Sequence, residues 1–338
     1  MCYNVPTPSS TDDRRKVGVT WRRFMRSIRA FAILVIAALI LAACQGGGES
    51  PSESAATESQ AAESSAPSGG AAGLTCDSPD IDGQLARICE AGTIRVSTDP
   101  AYPPQSFLNE DTGEYEGFDI DVAKEIGERL GVEVEFTDPA FEAVVAGSWA
   151  DRWDMSVGSI TVTAERQEVL DFTQPYYFTP AQVAVLEDSD AESLDDLAGQ
   201  VACVGEATTY LFWIEGTLNL PEDAAEPSPP PDGMTATTFP TDIDCAEAWR
   251  SGRTEDFQAW VTALPTAQDA IDSGNYSIRL LGDPVFFEPL AVGFDNQVED
   301  NDSLVEAVDA IVGEMHEDGT LSDLSDEWYE GIDYTVQE

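Results

Sequence analysis

From Thr93 onward, short β-branched segments alternate along the chain with amphipathic segments of helical period. Thr93–Ser97 has the composition of a strand, Ile120–Leu130 has the apolar spacing of a helix, and Gly131 is suited to ending that helix. Val132–Phe136 then alternates as a strand does. A strand, a helix and a second strand form the repeating unit of a sheet with parallel crossovers. The sequence therefore predicts an α/β fold.

The alternation continues toward the C-terminal part of the chain, and the roughly 265 residues from Leu74 onward are enough for two domains. Further strands are predicted near Met155 and at Ala181–Leu186, Val201–Val204, Thr237–Phe239, Phe257–Val261, Ile278–Leu281 and Pro289–Phe294. Helices are predicted from Phe141 and at Thr209–Leu218, Cys245–Ser251, Pro265–Ser273, Ser303–His316 and Leu321–Tyr329. The acidic, proline-rich segment Asn219–Gly233 is predicted to be a surface loop.

The N-terminal part has the order of a lipoprotein export signal. Basic residues precede the apolar run Ala30–Ala43, and Leu41 to Cys44 ends that run with small residues and a cysteine. A membrane-spanning helix needs about 20 apolar residues, which makes an uncleaved anchor the less favoured alternative. Residues 1–43 are thus predicted to be a signal peptide, and Cys44 the lipidated first residue of the mature protein.

Residues 44–73 lack large apolar side chains and cannot bury enough surface to fold, so they are predicted to form a disordered tether. Lipidation at Cys44 followed by such a tether would hold a folded domain away from a membrane. We therefore expect the protein to be extracytoplasmic, lipid-anchored on the outer face of the cell membrane or periplasmic.

Charge excludes some classes of partner. The chain carries 64 acidic and 16 basic residues, a formal net charge of −48, and seven of the basic residues precede Cys44. A surface of this charge repels nucleic acid and anionic lipid, so we expect no nucleic-acid partner and membrane contact through a lipid anchor only. An anionic group in a ligand would need a local positive site.

Four cysteines follow Cys44, an even number that favours two disulfides in a chain predicted to be exported. Three pairings are possible. We favour Cys76 with Cys89, a local connection, and Cys203 with Cys245, since both of the latter lie in the middle third of the chain. A metal site is the alternative, and the lack of a C-x-x-C spacing and the single histidine argue against it.

The sequence favours a binding protein over an enzyme, with no cofactor and no metal. His316, the one histidine, lies on a predicted helix and is expected to face solvent, which argues against a histidine-dependent catalytic triad. No glycine-rich phosphate loop precedes a predicted helix. Paired carboxylates carry little information in so acidic a chain.

The segment Gly158–Tyr177 has the pattern of a carboxylate receptor. The hydroxyl side chains of Ser159 and Thr161 come just before a predicted helix start that carries Arg166. A helix N-terminus adds partial positive charge, and a guanidinium offers a fork to both oxygens of a carboxylate. The alternative is a surface arginine on a helix that merely begins with a threonine cap.

Five segments in this order resemble the family 3 extracellular solute-binding proteins, the amino-acid-binding subunits of ABC importers. They are Ser97–Pro104, Gly117–Ala123, Gly158–Tyr177, Glu288–Phe294 and Asp318–Tyr329. Each is a weak signal alone, but together they extend over nearly all of residues 76–334. The resemblance implies a type II periplasmic-binding-protein fold, with two α/β lobes joined by two crossing segments and a ligand cleft between them. Lobe 1 would comprise residues 74–178 and 289–338, and lobe 2 residues 179–288.

The resemblance also implies a set of ligand-binding residues. These are Asp99, Tyr102, Phe141, Ser159, Thr161, Arg166, Thr208 and Thr209. Tyr102 and Phe141 would form opposite apolar walls, and Asp99 a polar contact, although Asp99 before a proline suits a turn equally well. The remaining five would clamp the ligand carboxylate from the two lobes.

One position departs from the family pattern. Members that bind amino acids usually carry a lobe 2 aspartate that holds the ligand's α-ammonium, and the matching residue here is Ala263, or Thr262 if the alignment shifts. Either a nearby acid such as Asp99 or Glu206 takes this role, or the ligand lacks a standard α-ammonium. Trp260 offers a stacking face, but a tryptophan in a strand more often belongs to the core.

The sequence thus predicts the substrate-binding lipoprotein of an ABC importer, which captures a small carboxylate-bearing solute, an amino acid or a related compound, by closure of the cleft. The expected partners are this ligand and the transporter permease, and the protein is expected to be a monomer. Two alternatives share the fold. One is a dehydratase-like enzyme with Glu206 as its candidate acid, and the other is an extracellular sensor or ligand-binding module.

Overall fold

The computed structural model describes residues 73–79, 81–222 and 224–336. The predicted signal peptide, the lipidation site Cys44 and all of the predicted tether except Gly73 lie outside these ranges. Within the described residues, no helix has both the length and the apolar character needed to cross a membrane.

The predicted alternation of strands and helices is confirmed. The strands are β1 (Thr93–Ser97), β2 (Ala101–Tyr102), β3 (Ser106–Asn109), β4 (Glu114–Glu116), β5 (Glu133–Thr137), β6 (Met155–Thr161), β7 (Leu170–Phe172), β8 (Tyr177–Leu186), β9 (Val201–Gly205), β10 (Thr235–Phe239), β11 (Ala259–Ala263) and β12 (Ile278–Asp295). The helices are α1 (Gly83–Ala91), α2 (Phe118–Leu130), α3 (Phe141–Val145), α4 (Thr209–Glu215), α5 (Ile243–Arg250), α6 (Leu264–Asp272), α7 (Asp302–Glu317) and α8 (Thr320–Trp328). Short 3-10 turns occupy Arg166–Glu168 and Leu194–Leu197.

One large sheet runs through the described part of the chain in the order β10-β9-β11-β8-β12-β6-β1-β5, with β7 also paired to β12. β1 is parallel to β5 and β6, and β9 is parallel to β10 and β11. β8 and β12 are antiparallel to each other and join these two parallel sets. β2, β3 and β4 form a separate small antiparallel sheet.

The buried side chains form separate cores on the two sides of β8 and β12. The first core packs α1, α2 and α7 against β1 and β6 and includes Phe118, Tyr176 and Ile311. The other side has two clusters, centred on Trp213 and Trp260, which pack α4 and α5 against β9 and β11. We call these sides the first and second lobe.

Strands β8 and β12 carry the chain between the lobes. Their pairing brings Thr179 opposite Glu288 and Pro180 opposite Phe287, where the first core gives way to the second. The lobe boundaries predicted at 178/179 and 288/289 stay a prediction, because both strands continue without interruption through this point. The two strands predicted at Ile278–Leu281 and Pro289–Phe294 are in fact one 18-residue strand, β12, with an irregularity between Leu281 and Phe286.

The predicted α-helix start at Arg166 is wrong. Arg166 begins a single 3-10 turn of three residues, and β7 begins at Leu170. The chain must rejoin the sheet beside β12 so soon after β6 that only one turn forms. Ser159 and Thr161 belong to β6 rather than to a loop. A single 3-10 turn supplies no helix macrodipole at this position.

His316, which was expected to face solvent, and Arg129 both have tertiary partners. Arg129, near the end of α2, is 19% exposed and forms ion pairs with Glu125 and with Asp318, beyond the end of α7. His316 is half-buried, and its Nε2 lies 2.8 Å from the carbonyl oxygen of Pro175. Both contacts join elements far apart in the chain, which a helical period does not reveal.

Both favoured disulfides are present. Cys76 is joined to Cys89, which connects the N-terminal segment to α1, and Cys203 is joined to Cys245, which connects β9 to α5. Cys203 and Cys245 are fully buried in the second lobe beside Trp260. The alternative of a metal site formed by these four cysteines is thereby contradicted.

Candidate functional site

The loops that follow the parallel strands of both lobes converge on one cavity. The loop after β1 brings Asp99, the end of β6 brings Ser159, and the loop after β9 brings Thr208. Carboxyl ends of parallel strands meet at one edge of a sheet, where α/β proteins commonly bind ligands. The cavity encloses about 430 Å³ of empty space, part of it open to solvent.

All eight residues predicted to bind ligand lie in the wall of this cavity. They are Asp99, Tyr102, Phe141, Ser159, Thr161, Arg166, Thr208 and Thr209. The wall also contains residues that were not predicted to bind ligand. These are Gly158, Gly205, Glu206, Tyr210, Pro240, Thr241, Asp242 and Glu288. Trp260, by contrast, is fully buried in the core of the second lobe, and Ala263 is also buried.

Arg166 is the one positively charged side chain of the cavity wall. It is 3% exposed, and its Nη1 and Nη2 donate to the carbonyl oxygens of Thr161 and Ala207, each at 2.9 Å. These carbonyls belong to the first and second lobe, so one guanidinium bridges both. Burial lowers the pKa of Arg166 to about 10, so the side chain stays charged at neutral pH.

Part of this guanidinium has no partner in the described residues. The buried Nε of Arg166 forms no hydrogen bond there, and the Phe141 ring centroid lies 5.3 Å from its Cζ. An unpaired buried donor on a charged group is unfavourable, so an anionic acceptor would be strongly favoured beside it.

Glu288 takes up hydroxyl groups that were expected to bind ligand. Its Oε1 accepts from Thr161 Oγ1 at 2.8 Å and from Thr209 Oγ1, and its Oε2 accepts from Tyr210 OH at 2.7 Å. Burial raises the pKa of Glu288, against the opposing effects of these hydrogen bonds and of nearby Arg166. Thr161 belongs to β6, and Thr209 and Tyr210 belong to α4, so Glu288 connects these two elements across the lobes.

Ser159 is held by a second buried acid. Its Oγ donates to Oδ2 of Asp119 at 2.7 Å, and Oδ1 of Asp119 accepts from Tyr176 OH at 2.7 Å. Burial raises the pKa of Asp119 to about 7, although both hydrogen bonds oppose that shift. Ser159 has a φ of 56°, a left-handed conformation that is uncommon for residues other than glycine. Its hydroxyl thus has a structural partner as well as a place in the wall.

The remaining predicted residues also have partners within the protein. Thr208 caps α4, since its Oγ1 accepts from Leu211 N at 3.4 Å. Tyr102 OH lies 2.9 Å from Tyr210 OH, a contact between the lobes. Oδ1 of Asp99 accepts from the backbone N–H of Ala101 at 2.9 Å, so Asp99 forms the turn that was considered as its alternative role while also lining the cavity.

Asp242 is a further acid in the wall, buried to 5% exposure at the start of α5. Its Oδ1 accepts from Gly205 N at 3.0 Å, and its Oδ2 from Thr262 Oγ1 at 3.2 Å. Burial raises the pKa of Asp242 to about 8, and the like charges of Asp99 and Glu288 act in the same direction. The cavity wall thus contains four acids, Asp99, Glu206, Asp242 and Glu288, and one arginine, Arg166.

Glu288 and Asp242 were not predicted to line the site, although the sequence contains a signal for Glu288. Glu288 is the one charged residue in the run Val285–Phe294, and a charge inside such an apolar run is buried and must be paired. Asp242 lies in a polar segment before a helix, where an acid is ordinary. It contacts the ends of β9 and β11, which are far apart in sequence, and no local pattern reveals this.

Comparison with known proteins identifies a family and several similar chains. The sequence profile of the bacterial extracellular solute-binding proteins, family 3, matches residues 94–331. The L-cystine-binding protein TcyJ of Escherichia coli (strain K12) is 27% identical over 266 residues, which cover 78% of this chain and 92% of that protein. An ancestral arginine-binding protein solved with bound arginine is 28% identical, with a TM-score of 0.60 over 70% of this chain and 98% of that one.

A third relative is described as a precursor of an enzyme. The ancestral amino acid-binding protein AncCDT-1, a precursor of cyclohexadienyl dehydratase, is 26% identical, with a TM-score of 0.61 over 73% of this chain and 100% of that one. All three relatives are named as binding proteins, and the predicted two-lobed fold of the type II periplasmic-binding proteins is confirmed. This chain belongs to the bacterial extracellular solute-binding proteins, family 3.

Proposed function

We propose that this protein is the substrate-binding lipoprotein of an ABC importer and captures a small carboxylate-bearing solute, an amino acid or a close relative, between its lobes. The observation that carries the proposal is the position of Arg166, which is buried in the cavity and bonded to a carbonyl oxygen of each lobe. The names of the relatives support the class of ligand, since they refer to L-cystine and arginine.

The ligand carboxylate is proposed to lie beside Nε of Arg166. This N–H is buried without a partner in the described residues, and charge-assisted hydrogen bonds to a carboxylate are among the strongest that proteins form. Glu288 already accepts from Thr161 and Thr209, so those hydroxyls support the site through Glu288.

Capture is proposed to proceed by closure of the cleft. Three contacts would form only when the lobes approach, namely Tyr102 with Tyr210, Gln105 with Thr266, and Arg166 with the carbonyl of Ala207. Closure around a ligand excludes water, which strengthens an ion pair in the cavity. A ligand that contacts both lobes would thus shift the open–closed equilibrium toward the closed form.

A binding panel tests this function. Calorimetry with the twenty L-amino acids and L-cystine should show saturable binding of at least one, whereas glucose and maltose, which carry no carboxylate, should not bind. Mass spectrometry of the same mixtures should recover the amino acid unchanged. Failure of every amino acid to bind would contradict the proposal.

The two alternatives of the same fold have their own readouts. Conversion of the bound compound to a product would favour an enzyme, the role suggested by the relation of AncCDT-1 to a dehydratase. Deletion of the gene in the host separates import from sensing. An importer subunit is required for uptake of the labelled amino acid, whereas loss of a sensor leaves uptake intact.

We further propose that the mature protein is a monomer that begins at lipidated Cys44 and delivers its ligand to a membrane permease. The order of basic residues, the apolar run Ala30–Ala43 and a cysteine supports this proposal. The intact mass of protein extracted from host membranes should equal a chain starting at Cys44 plus two or three acyl groups. The Cys44→Ser variant should leave the membrane fraction, because it lacks the lipid. An unmodified chain starting at Met1 would contradict this prediction.

A further inference from the structure

We propose that Asp242 binds the ammonium group of the amino acid and replaces the aspartate that the family pattern leads one to expect at Ala263. This inference rests on the proposed function, because it requires a ligand that carries an amine as well as a carboxylate.

The position of Asp242 in the fold carries the inference. Its two carboxylate oxygens reach the carboxyl ends of two neighbouring strands, through Gly205 N on β9 and Thr262 Oγ1 on β11. Ala263 directly follows Thr262, so a carboxylate stands beside the strand end whose own residue carries none. Gly205 has no side chain, which permits this close approach. A Cβ at this position would lie 3.1 Å from Oδ1 of Asp242, which is tighter than an ordinary contact.

Asp242 has the capacity for a cationic partner. Each of its oxygens accepts one hydrogen bond in the described residues, and a carboxylate oxygen can accept two. No lysine or arginine within the described ranges forms an ion pair with it. A buried acid that lines a cavity without a counter-ion is a group that an ammonium would stabilise.

The charges around Asp242 favour a cation there. The titratable groups that face it are Asp99 after β1, Glu288 on β12, Tyr102 on β2 and Tyr210 on α4. None of these is a cation, and Arg166 is the only basic side chain in the wall. With its ammonium at Asp242 and its carboxylate at Arg166, a zwitterionic ligand would have each charge beside a side chain of opposite charge.

Two other acids of the cavity wall, Glu206 and Asp99, are less suited to binding an ammonium. Glu206 is exposed, and an ion pair in water contributes little. Asp99 already accepts from Ala101 N to form its turn, and it is only partly buried. Asp242 is the more desolvated partner, so its ion pair with an ammonium would be the stronger one.

Binding of an ammonium by Asp242 should depend on pH. An ammonium stabilises the ionised form of Asp242, whose pKa is raised to about 8 by burial. At pH 6 most of the carboxyl is protonated, so binding must release a proton. Affinity should therefore rise about fifty-fold from pH 6 to pH 8 through this group alone. Asp99 and Glu288 also titrate, so the informative quantity is the difference between the wild type and a variant at Asp242.

The test compares wild type with Asp242→Asn. Asparagine keeps an acceptor for Gly205 and a partner for Thr262 but cannot ionise. The probes are the tightest-binding amino acid of the panel and its desamino acid. We expect Asp242→Asn to lower the affinity for the amino acid by roughly 30- to several-thousand-fold and to change the affinity for the desamino acid less than about threefold. The variant should also lose the roughly fifty-fold rise in affinity between pH 6 and pH 8. The control is Asp232→Asn, because Asp232 is an exposed acid of the second lobe. This variant should leave the affinity for both probes unchanged.

A loss of folding is separated from a loss of binding by thermal unfolding. The pKa of Asp242 is higher in the folded than in the unfolded state, so its contribution destabilises the fold as pH rises from about 4 to about 8. Asp242→Asn should therefore unfold at the same or a higher temperature than wild type at pH 8. The double variant Asp242→Asn with Ala263→Asp should recover part of the lost affinity.

An equal loss of affinity for the amino acid and for the desamino acid in Asp242→Asn would overturn the proposed role of Asp242, and it would leave the proposed function intact. An unchanged affinity in Asp242→Asn would do the same. Absence of any amino-acid binding by the wild type would instead overturn the proposed function, and this inference with it.

Discussion

Arg166→Ala is expected to weaken binding of the panel's tightest amino acid by roughly 30- to several-thousand-fold, because removing one partner of a buried ion pair costs about 2–5 kcal/mol. Arg166 is buried in the cavity, and its Nε–H has no hydrogen-bond partner in the part of the chain that the structure describes. The decarboxylated amine of the same amino acid lacks the group that Arg166 is proposed to bind. Its affinity should therefore change much less, and calorimetry with both compounds measures the difference.

A suitable control for Arg166→Ala is Arg250→Ala. The Arg250 side chain is 55% exposed at the far end of α5 and pairs only with Glu247 among the described residues. Arg129 is less suitable, because its ion pairs with Glu125 and Asp318 join distant elements. An equal loss of affinity for the amino acid and for its amine would show that Arg166 acts on the shape of the site. Unchanged affinity for both would contradict the carboxylate proposal altogether.

Replacing Cys203 and Cys245 by alanine should lower the free energy of unfolding by about 4 kcal/mol, the value that the chain-entropy account gives for a loop of this length. The two cysteines are 42 residues apart, and their disulfide joins β9 to α5 inside the core of the second lobe. Loss of packing around two buried sulfur atoms would add to the effect. Urea unfolding monitored by circular dichroism measures the change.

The second disulfide provides a matched comparison. Cys76 and Cys89 are 13 residues apart, and the same account gives about 3 kcal/mol for their removal. This pair joins the N-terminal segment to α1, away from the core of the second lobe. The Cys203 and Cys245 variant should therefore be the less stable of the two. The reverse order, or no change in either variant, would contradict this account.

The types and order of the elements followed from local patterns. Ile120–Leu130 has a helical apolar stripe and a glycine behind it, and α2 ends at Leu130 with Gly131 in the left-handed conformation. Strand β1 has the bounds predicted for Thr93–Ser97. Such features are encoded within a few residues, because helix ends and strand alternation depend on neighbouring side chains. The errors occurred where distant strands set the geometry, as in the single strand β12 and the short turn at Arg166.

For the candidate site, too, some features could be predicted from the sequence and others could not. The eight predicted residues could be chosen from sequence because strand ends and the family pattern place them near one edge of the sheet. The hydrogen-bond partners of these residues could not be predicted from sequence. Thr161 bonds to Glu288, which is 127 residues away in the chain, and Ser159 bonds to Asp119, which is 40 residues away.

The burial of Glu288 and Asp242 likewise depends on packing between the ends of elements that are far apart in the chain. The sequence established the α/β class, the likeness to one family and the loops that form the cavity, because these depend on local periodicity and on motifs in order. Three-dimensional packing determined which acids lie in the wall and which hydroxyls they bind. Desolvation and pairing of charges depend on all neighbouring elements together, and no short segment encodes them.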